Sequence, residues 1–123
     1  MLGLQKLIAF VATSDLGRAK AFYEDILGLR LVGEDGFALV FDVGGTMLRV
    51  TRVPEVVAAK YTVLGWLVPD IEEMARYLQK AQVQLERYSG MEQDELGIWK
   101  SPSGARVAWF RDPDGNTLSI TQF

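Results

Sequence analysis

The sequence predicts an α+β fold of two tandem βαβββ modules, on the strength of two internal alignments and of strands that are apolar on both sides. Sliding Lys6–Leu31 onto Tyr61–Glu86, a shift of 55 residues, lays LIAFVATSDLGRAKAFY over TVLGWLVPDIEEMARYL. In both, an apolar strand runs into an Asp and then an amphipathic helix, with Asp15 over Asp70, Leu16 over Ile71 and Phe22 over Tyr77. A second shift, of 70, lays ALVFDVGGTMLRVT over AWFRDPDGNTLSIT with five of fourteen positions identical: Ala38/Ala108, Asp42/Asp112, Gly45/Gly115, Leu48/Leu118 and Thr51/Thr121. That many identities, in the same order as the strand–helix match, mark a duplicated module. Leu7–Val11 and Phe37–Phe41 have no polar side, so both faces of their sheet must be covered.

Each element has a local cause. Ser14 or Asp15 caps a helix that runs to about Leu27, with Leu16, Ala19, Phe22, Tyr23, Ile26 and Leu27 on one stripe and Gly28 as the stop. Asp70-Ile-Glu-Glu73 is a capping box opening a helix to about Ala81, with Ile71, Met74, Tyr77, Leu78 and Ala81 facing inward. Three strand-like segments follow each helix: Arg30–Gly33, Phe37–Asp42 and Thr46–Arg52, then Gln84–Tyr88, Arg106–Arg111 and Asn116–Thr121. Asp112-Pro-Asp-Gly115 turns the chain between the last two. Val53–Lys60 joins the modules with one helical turn, so that one domain, 1–123, holds module one over about 4–53 and module two over about 61–123. The step from a shift of 55 to one of 70 leaves 15 extra residues in the second half, around GMEQDELGIWKSPSG. This acidic, glycine-punctuated stretch reads as an exposed loop or lid, with Tyr88 and Trp99 close by.

Composition narrows the chemistry. The 123 residues suit one compact globular domain, with 49% apolar and 24% charged residues. There is no cysteine, which removes disulfides, thiolate nucleophiles and thiolate metal sites. There is no histidine either, so the commonest metal ligand and neutral-pH base is missing. A net charge of −3 argues against nucleic acid as a partner. No apolar run is long enough for a membrane span and the N-terminus lacks the pattern of a signal peptide, so the expected setting is the cytoplasm.

With these elements in place, the sequence resembles the glyoxalase/bleomycin-resistance/dioxygenase (vicinal oxygen chelate) superfamily. The resemblance rests on TSDLGRAKAFYEDILGLRLV, LVPDIEEMARYLQKAQV and GARVAWFRDPDGNTLSITQF, which together span most of the chain. It implies that the two modules form an open, cup-like barrel around one pocket, and that the protein is a homodimer. Many members hold a divalent metal through four side chains, from the first and last strand of each module. Here those positions carry Ile8, Arg49, Val63 and Ser119, where metal-binding members have His or Gln, Glu, His and Glu. The internal repeat supports the assignment, because Ile8 falls on Val63 and Arg49 on Ser119. Two aliphatic side chains, a fixed cation and a lone hydroxyl make no metal site, so no metal and no cofactor are expected.

Alternation along the strands then selects the pocket face. It gives Ile8, Phe10 and Ala12; Met47, Arg49 and Thr51; Val63, Gly65 and Leu67; and Thr117, Ser119 and Thr121. The family pattern turns Val107 and Trp109 inward, and the repeat sends Phe37 and Leu39 with them, while Trp66 packs under a helix as core. The ligand-binding candidates are Ile8, Phe10, Met47, Arg49, Val63, Trp109 and Ser119, with no catalytic residue assigned. Arg49 is open to two readings, a structural ion pair or snorkelled cation, and a bidentate partner for an anionic ligand. The function expected is metal-free binding or sequestering of a small, partly apolar molecule with an anionic group. The alternatives are an enzyme of the same superfamily, a lyase, isomerase or dioxygenase-like protein working without the usual metal, and a structural dimer whose cup is filled by its own side chains.

Overall fold

The computed structural model describes every residue from Met1 to Phe123. It divides into two compact units, Met1–Val57 and Ala58–Phe123. The first contains β1 (Ile8–Thr13), α1 (Leu16–Lys20), β2 (Arg30–Glu34), β3 (Ala38–Val43) and β4 (Thr46–Arg52), with sheet order β1-β4-β3-β2. The second contains β5 (Thr62–Leu67), α2 (Ile71–Lys80), β6 (Trp99–Lys100), β7 (Arg106–Arg111) and β8 (Thr117–Gln122), with sheet order β5-β8-β7-β6. In each unit the first strand runs parallel to the last and the remaining pairs are antiparallel. The duplicated sequence folds twice into one βαβββ topology. Val53–Lys60 contains no helical turn.

Both helices begin as their sequences dictate. The Asp15 carboxylate accepts from Arg18 N at 3.0 Å and the Asp70 carboxylate from Glu73 N at 3.1 Å. The first helix differs from a plain α-helix, because α1 gives way to a π-helical stretch over Ala21–Ile26 before Gly28, at φ 71°, ends it. Leu27 N donates back to Phe22 O at 2.9 Å across this widened turn. Within this stretch Phe22 and Tyr23, neighbours in sequence, are both buried, and their rings meet edge to face at 5.1 Å. In α2 the buried residues are Ile71, Ala75 and Leu78, spaced i, i+4, i+7. Met74 and Tyr77, expected inward, flank that stripe and are exposed.

The core of the first unit lies between α1 with its π-turn and one face of the sheet. Register places Val11, Leu48, Val50, Leu39 and Phe41 on that face, with Tyr23 packed on Phe41 at 6.1 Å. In the second unit Phe110, Leu118, Ile120 and Ala108 are buried with Ile71, Ala75 and Leu78, and Trp66, half-buried on the same face, stacks on Phe110 at 6.3 Å.

Leu39 corrects the expectation drawn from the repeat. It pairs with Val50 on the helix-side face and is 2% exposed, whereas Trp109, its counterpart under the 70-residue shift, pairs with Ser119 on the opposite face. The two hairpins cause the difference. Gly44-Gly45 joins β3 to β4 in a two-residue turn, both glycines at positive φ, while five residues, 112–116, join β7 to β8. An odd change in loop length slips the register by one, and a one-residue slip exchanges the faces. Phe37 precedes β3 and is exposed.

The segment Gln84–Tyr88 also differs from the expected strand. Leu85 alone forms a bridge, to Phe110, and the strand proper on that edge of β7 is β6, beyond the extra residues. Two short pieces of chain thus share the edge that the continuous β2 serves in the first unit.

Candidate functional site

In the first unit, the sheet face turned away from the helix carries Ile8, Phe10 and Ala12 on β1, Met47, Arg49 and Thr51 on β4, and Val40 on β3. Ile8 pairs with Met47, and Arg49 lies between Phe10 and Val40. Ile8, Phe10 and Met47 are exposed, Phe10 most of all at 63%. Arg49 is half-buried and makes no ion pair. Two acids lie near it: Asp42, paired with Met47 on the same face and bridged to Arg30 at 3.6 Å, and Asp35, just before β3. The Asp35 carboxylate accepts from Phe37 N at 2.8 Å and Ala38 N at 2.9 Å. Those two bonds hold its pKa below the usual carboxylate value, and the Arg49 charge adds a smaller push in the same direction. Asp35 Oδ1 is thus engaged in the hairpin, and the Arg49 side chain makes no ion pair or hydrogen bond.

In the second unit the corresponding face carries Thr62, Gly65, Leu67, Thr117, Ser119, Thr121, Val107 and Trp109, while Val63 stands unpaired at a β-bulge between Thr62 and Leu64. Ser119 is buried beside Gly65, whose missing side chain makes room for it: a Cβ there would stand 2.6 Å from Ser119 Oγ. Val63 is partly exposed, at 38%. The Trp109 indole N–H donates to Thr62 Oγ1 at 3.0 Å. Its ring meets Tyr88 edge to face at 5.5 Å and Trp99 at 6.0 Å with a 37° tilt. Tyr88 and Trp99 were missed as candidates because both lie around the insertion, where the repeat offers no counterpart.

That insertion is tied down and does not hang free as a lid. Gln93 accepts from Tyr88 N at 2.8 Å and donates to the carbonyls of Glu86 and Gly97, each at 2.9 Å. The Asp94 carboxylate accepts from Leu96 N and Ile98 N, and Arg87 donates to the carbonyls of Asp94 and Glu95. The Asp112 turn is equally closed, its carboxylate accepting from Asp114 N, Asn116 N and Asn116 Nδ2. A cleft of about 380 Å³ near the end of α2, between Gln79 and Leu96, includes none of the seven candidates.

Comparison with known proteins gives these faces a context. A family model described as the Glyoxalase/Bleomycin resistance protein/Dioxygenase superfamily matches residues 6–120, and the chain belongs to that superfamily. Among solved structures, a lactoylglutathione lyase from Agrobacterium tumefaciens superposes with a TM-score of 0.76 at 20% identity, over 97% of this chain and 93% of that one. A bleomycin resistance determinant encoded on the transposon Tn5 superposes with a TM-score of 0.74 at 23% identity, over 96% and 97% of the two chains. A glyoxalase/bleomycin resistance protein/dioxygenase from Alicyclobacillus acidocaldarius gives 0.71 at 16% identity, over 98% and 92%. At such identities the likeness is one of fold. No curated protein matches the sequence.

The metal that this superfamily implies does not fit the residues present. Ile8 and Val63 have no lone pair, Arg49 is a permanent cation, and Ser119 is a single neutral hydroxyl. No three His, Cys, Asp or Glu side chains come together elsewhere as a donor set. No helix is long and apolar enough to cross a membrane.

Proposed function

We propose that this protein binds and shields a small, partly apolar molecule with an anionic group, without a metal, as a cytoplasmic homodimer. Arg49 carries the reading. A half-buried guanidinium between Phe10 and Val40, with no ion-pair partner, is a cost that a bound carboxylate, phosphate or sulfonate removes. Exposed Phe10, Ile8 and Met47 on the same face supply apolar surface for the rest of the molecule. In the second unit, taken by itself, Trp109 and Ser119 share one sheet face, with Val63 at the bulge in β5, and these remain the ligand-binding candidates there.

The test is a thermal-shift screen against metabolites and antibiotics, run on the parent and on Arg49→Met. A charge-assisted contact of this kind contributes about 1.5–3 kcal/mol, or about ten- to a hundredfold in affinity. An acidic hit should lose that factor in Arg49→Met while its neutral analogue binds as before. Purified protein should also carry no stoichiometric metal, and chelator should leave its melting temperature unchanged. Equal binding of acidic hits by parent and variant, or one tightly held metal per chain, would overturn the reading.

A further inference from the structure

We propose that Tyr88, Trp99 and Trp109 form an aromatic wall on the second sheet that receives a flat aromatic ring with a hydrogen-bond acceptor on its rim. The proposal rests on reading the chain as a small-molecule binder, but adds Tyr88 and Trp99 to Trp109 and does not use Arg49.

Three observations support it. First, the rings share a face. Trp109 and Val107 alternate on the face of Ser119, Trp99 pairs with Val107, and Tyr88 packs against Trp109. All three are half-buried, so each keeps a side in solvent. Second, their spacing decides what they can hold. Centroids 5.5 and 6.0 Å apart place the rings in direct contact, which leaves no space between them for a cage around an ammonium group. A guest must lie against their outer sides, where a planar ring gains more contact than a saturated one. Third, the polar atoms on the wall are uneven. The Trp109 N–H is engaged by Thr62, whereas the Tyr88 hydroxyl and the Trp99 indole N–H make no hydrogen bond. Burial, and then the charge of Glu86, raise the Tyr88 pKa, so its phenol stays protonated and donates. Glu86 is itself paired with Arg111 at 2.9 Å, which offsets its repulsion of an electron-rich guest. Two free donors beside stacked rings match a carbonyl, carboxylate or phenolate oxygen on an aromatic ring.

The insertion supplies the wall. A regular second-module edge strand would pair with β7 from end to end. Here the chain leaves at Leu85 and returns at Trp99, so Tyr88 and Trp99 flank Trp109 from two sides, and the Gln93 and Asp94 bonds hold that arrangement. The loop is thus a specificity-determining element added to the duplicated fold.

The experiment uses two probes of similar charge, 2-naphthoate and cyclohexanecarboxylate, titrated calorimetrically into the whole protein. The parent should prefer 2-naphthoate by about tenfold or more. Tyr88→Phe keeps the ring and loses one donor, and should weaken 2-naphthoate by about three- to tenfold while leaving cyclohexanecarboxylate unchanged. Indole N–H signals in NMR provide a measurement that needs no variant. 2-Naphthoate should move those of Trp99 and Trp109 and leave that of Trp66, on the other face, in place. No binding of 2-naphthoate, no preference for it, or shifts confined to Trp66 would overturn the wall. Arg49-dependent binding of cyclohexanecarboxylate without aromatic preference removes the wall and keeps the proposed function. Aromatic preference with no effect of Arg49→Met on either acid does the reverse.

Discussion

Gly65 and Ser119 sit side by side on parallel strands, and their packing is specific enough to test. A Cβ at position 65 would meet Ser119 Oγ at 2.6 Å, so the hydroxyl must leave its rotamer to admit it. Gly65→Ala should therefore cost about 1 kcal/mol of stability. In a Ser119→Ala background the obstacle is gone, and the same change should be neutral or stabilising by a few tenths of a kcal/mol, since alanine loses less chain entropy on folding. A double-mutant cycle by urea denaturation reads the coupling; the same cost in both backgrounds would refute the contact. Sequence pattern placed these two residues on one face, because both follow from plain strand alternation. It failed at Leu39, where the face depends on how many residues turn the hairpin, a number that the 70-residue alignment masks.

At the scale of elements, the loop between Leu85 and Trp99 depends on one side chain. Gln93 replaces strand pairing with three bonds to the backbone, at Tyr88 N, Glu86 O and Gly97 O. Each such bond contributes about 0.5–1.5 kcal/mol net, and its loss strands partly buried groups. Gln93→Ala should lower stability by about 1–3 kcal/mol and speed amide exchange at Tyr88, with β7 and β8 protected as before. Unchanged exchange there would mean the loop is held by something else. The caps, α2, β4 and β7 were legible from local signals, since an Asp before an amphipathic run or an alternating strand is a local matter. The split of the sixth strand was not, because an interrupted edge is decided by the hydrogen bonds of distant residues. The π-turn at Ala21–Ile26 was equally hidden, since an ordinary helical stripe already places Phe22 and Tyr23 on one side and carries no sign of a widened turn.

At the scale of the whole molecule, each unit leaves apolar surface that a monomer has no use for. Outside the proposed ligand contacts, Leu2, Leu4, Leu7 and Phe37 are exposed in the first, and Tyr61, Leu67 and Phe123 in the second. β1 lies at the edge of its sheet, paired with β4 alone, and β5 likewise with β8. Unpaired edges beside exposed large apolar side chains invite association, and a two-fold partner is the commonest closed solution. The expected state is a homodimer at micromolar concentration, with a light-scattering mass about twice 13.7 kDa. Because the exposed residues are apolar, raising the salt concentration should leave the dimer intact or tighten it, whereas an assembly held by surface ion pairs would loosen as its charges are screened. A stable mass near 13.7 kDa at these concentrations would refute the dimer. A dimer that dissociates with salt would instead place its interface on charged surface, away from these leucines and aromatics.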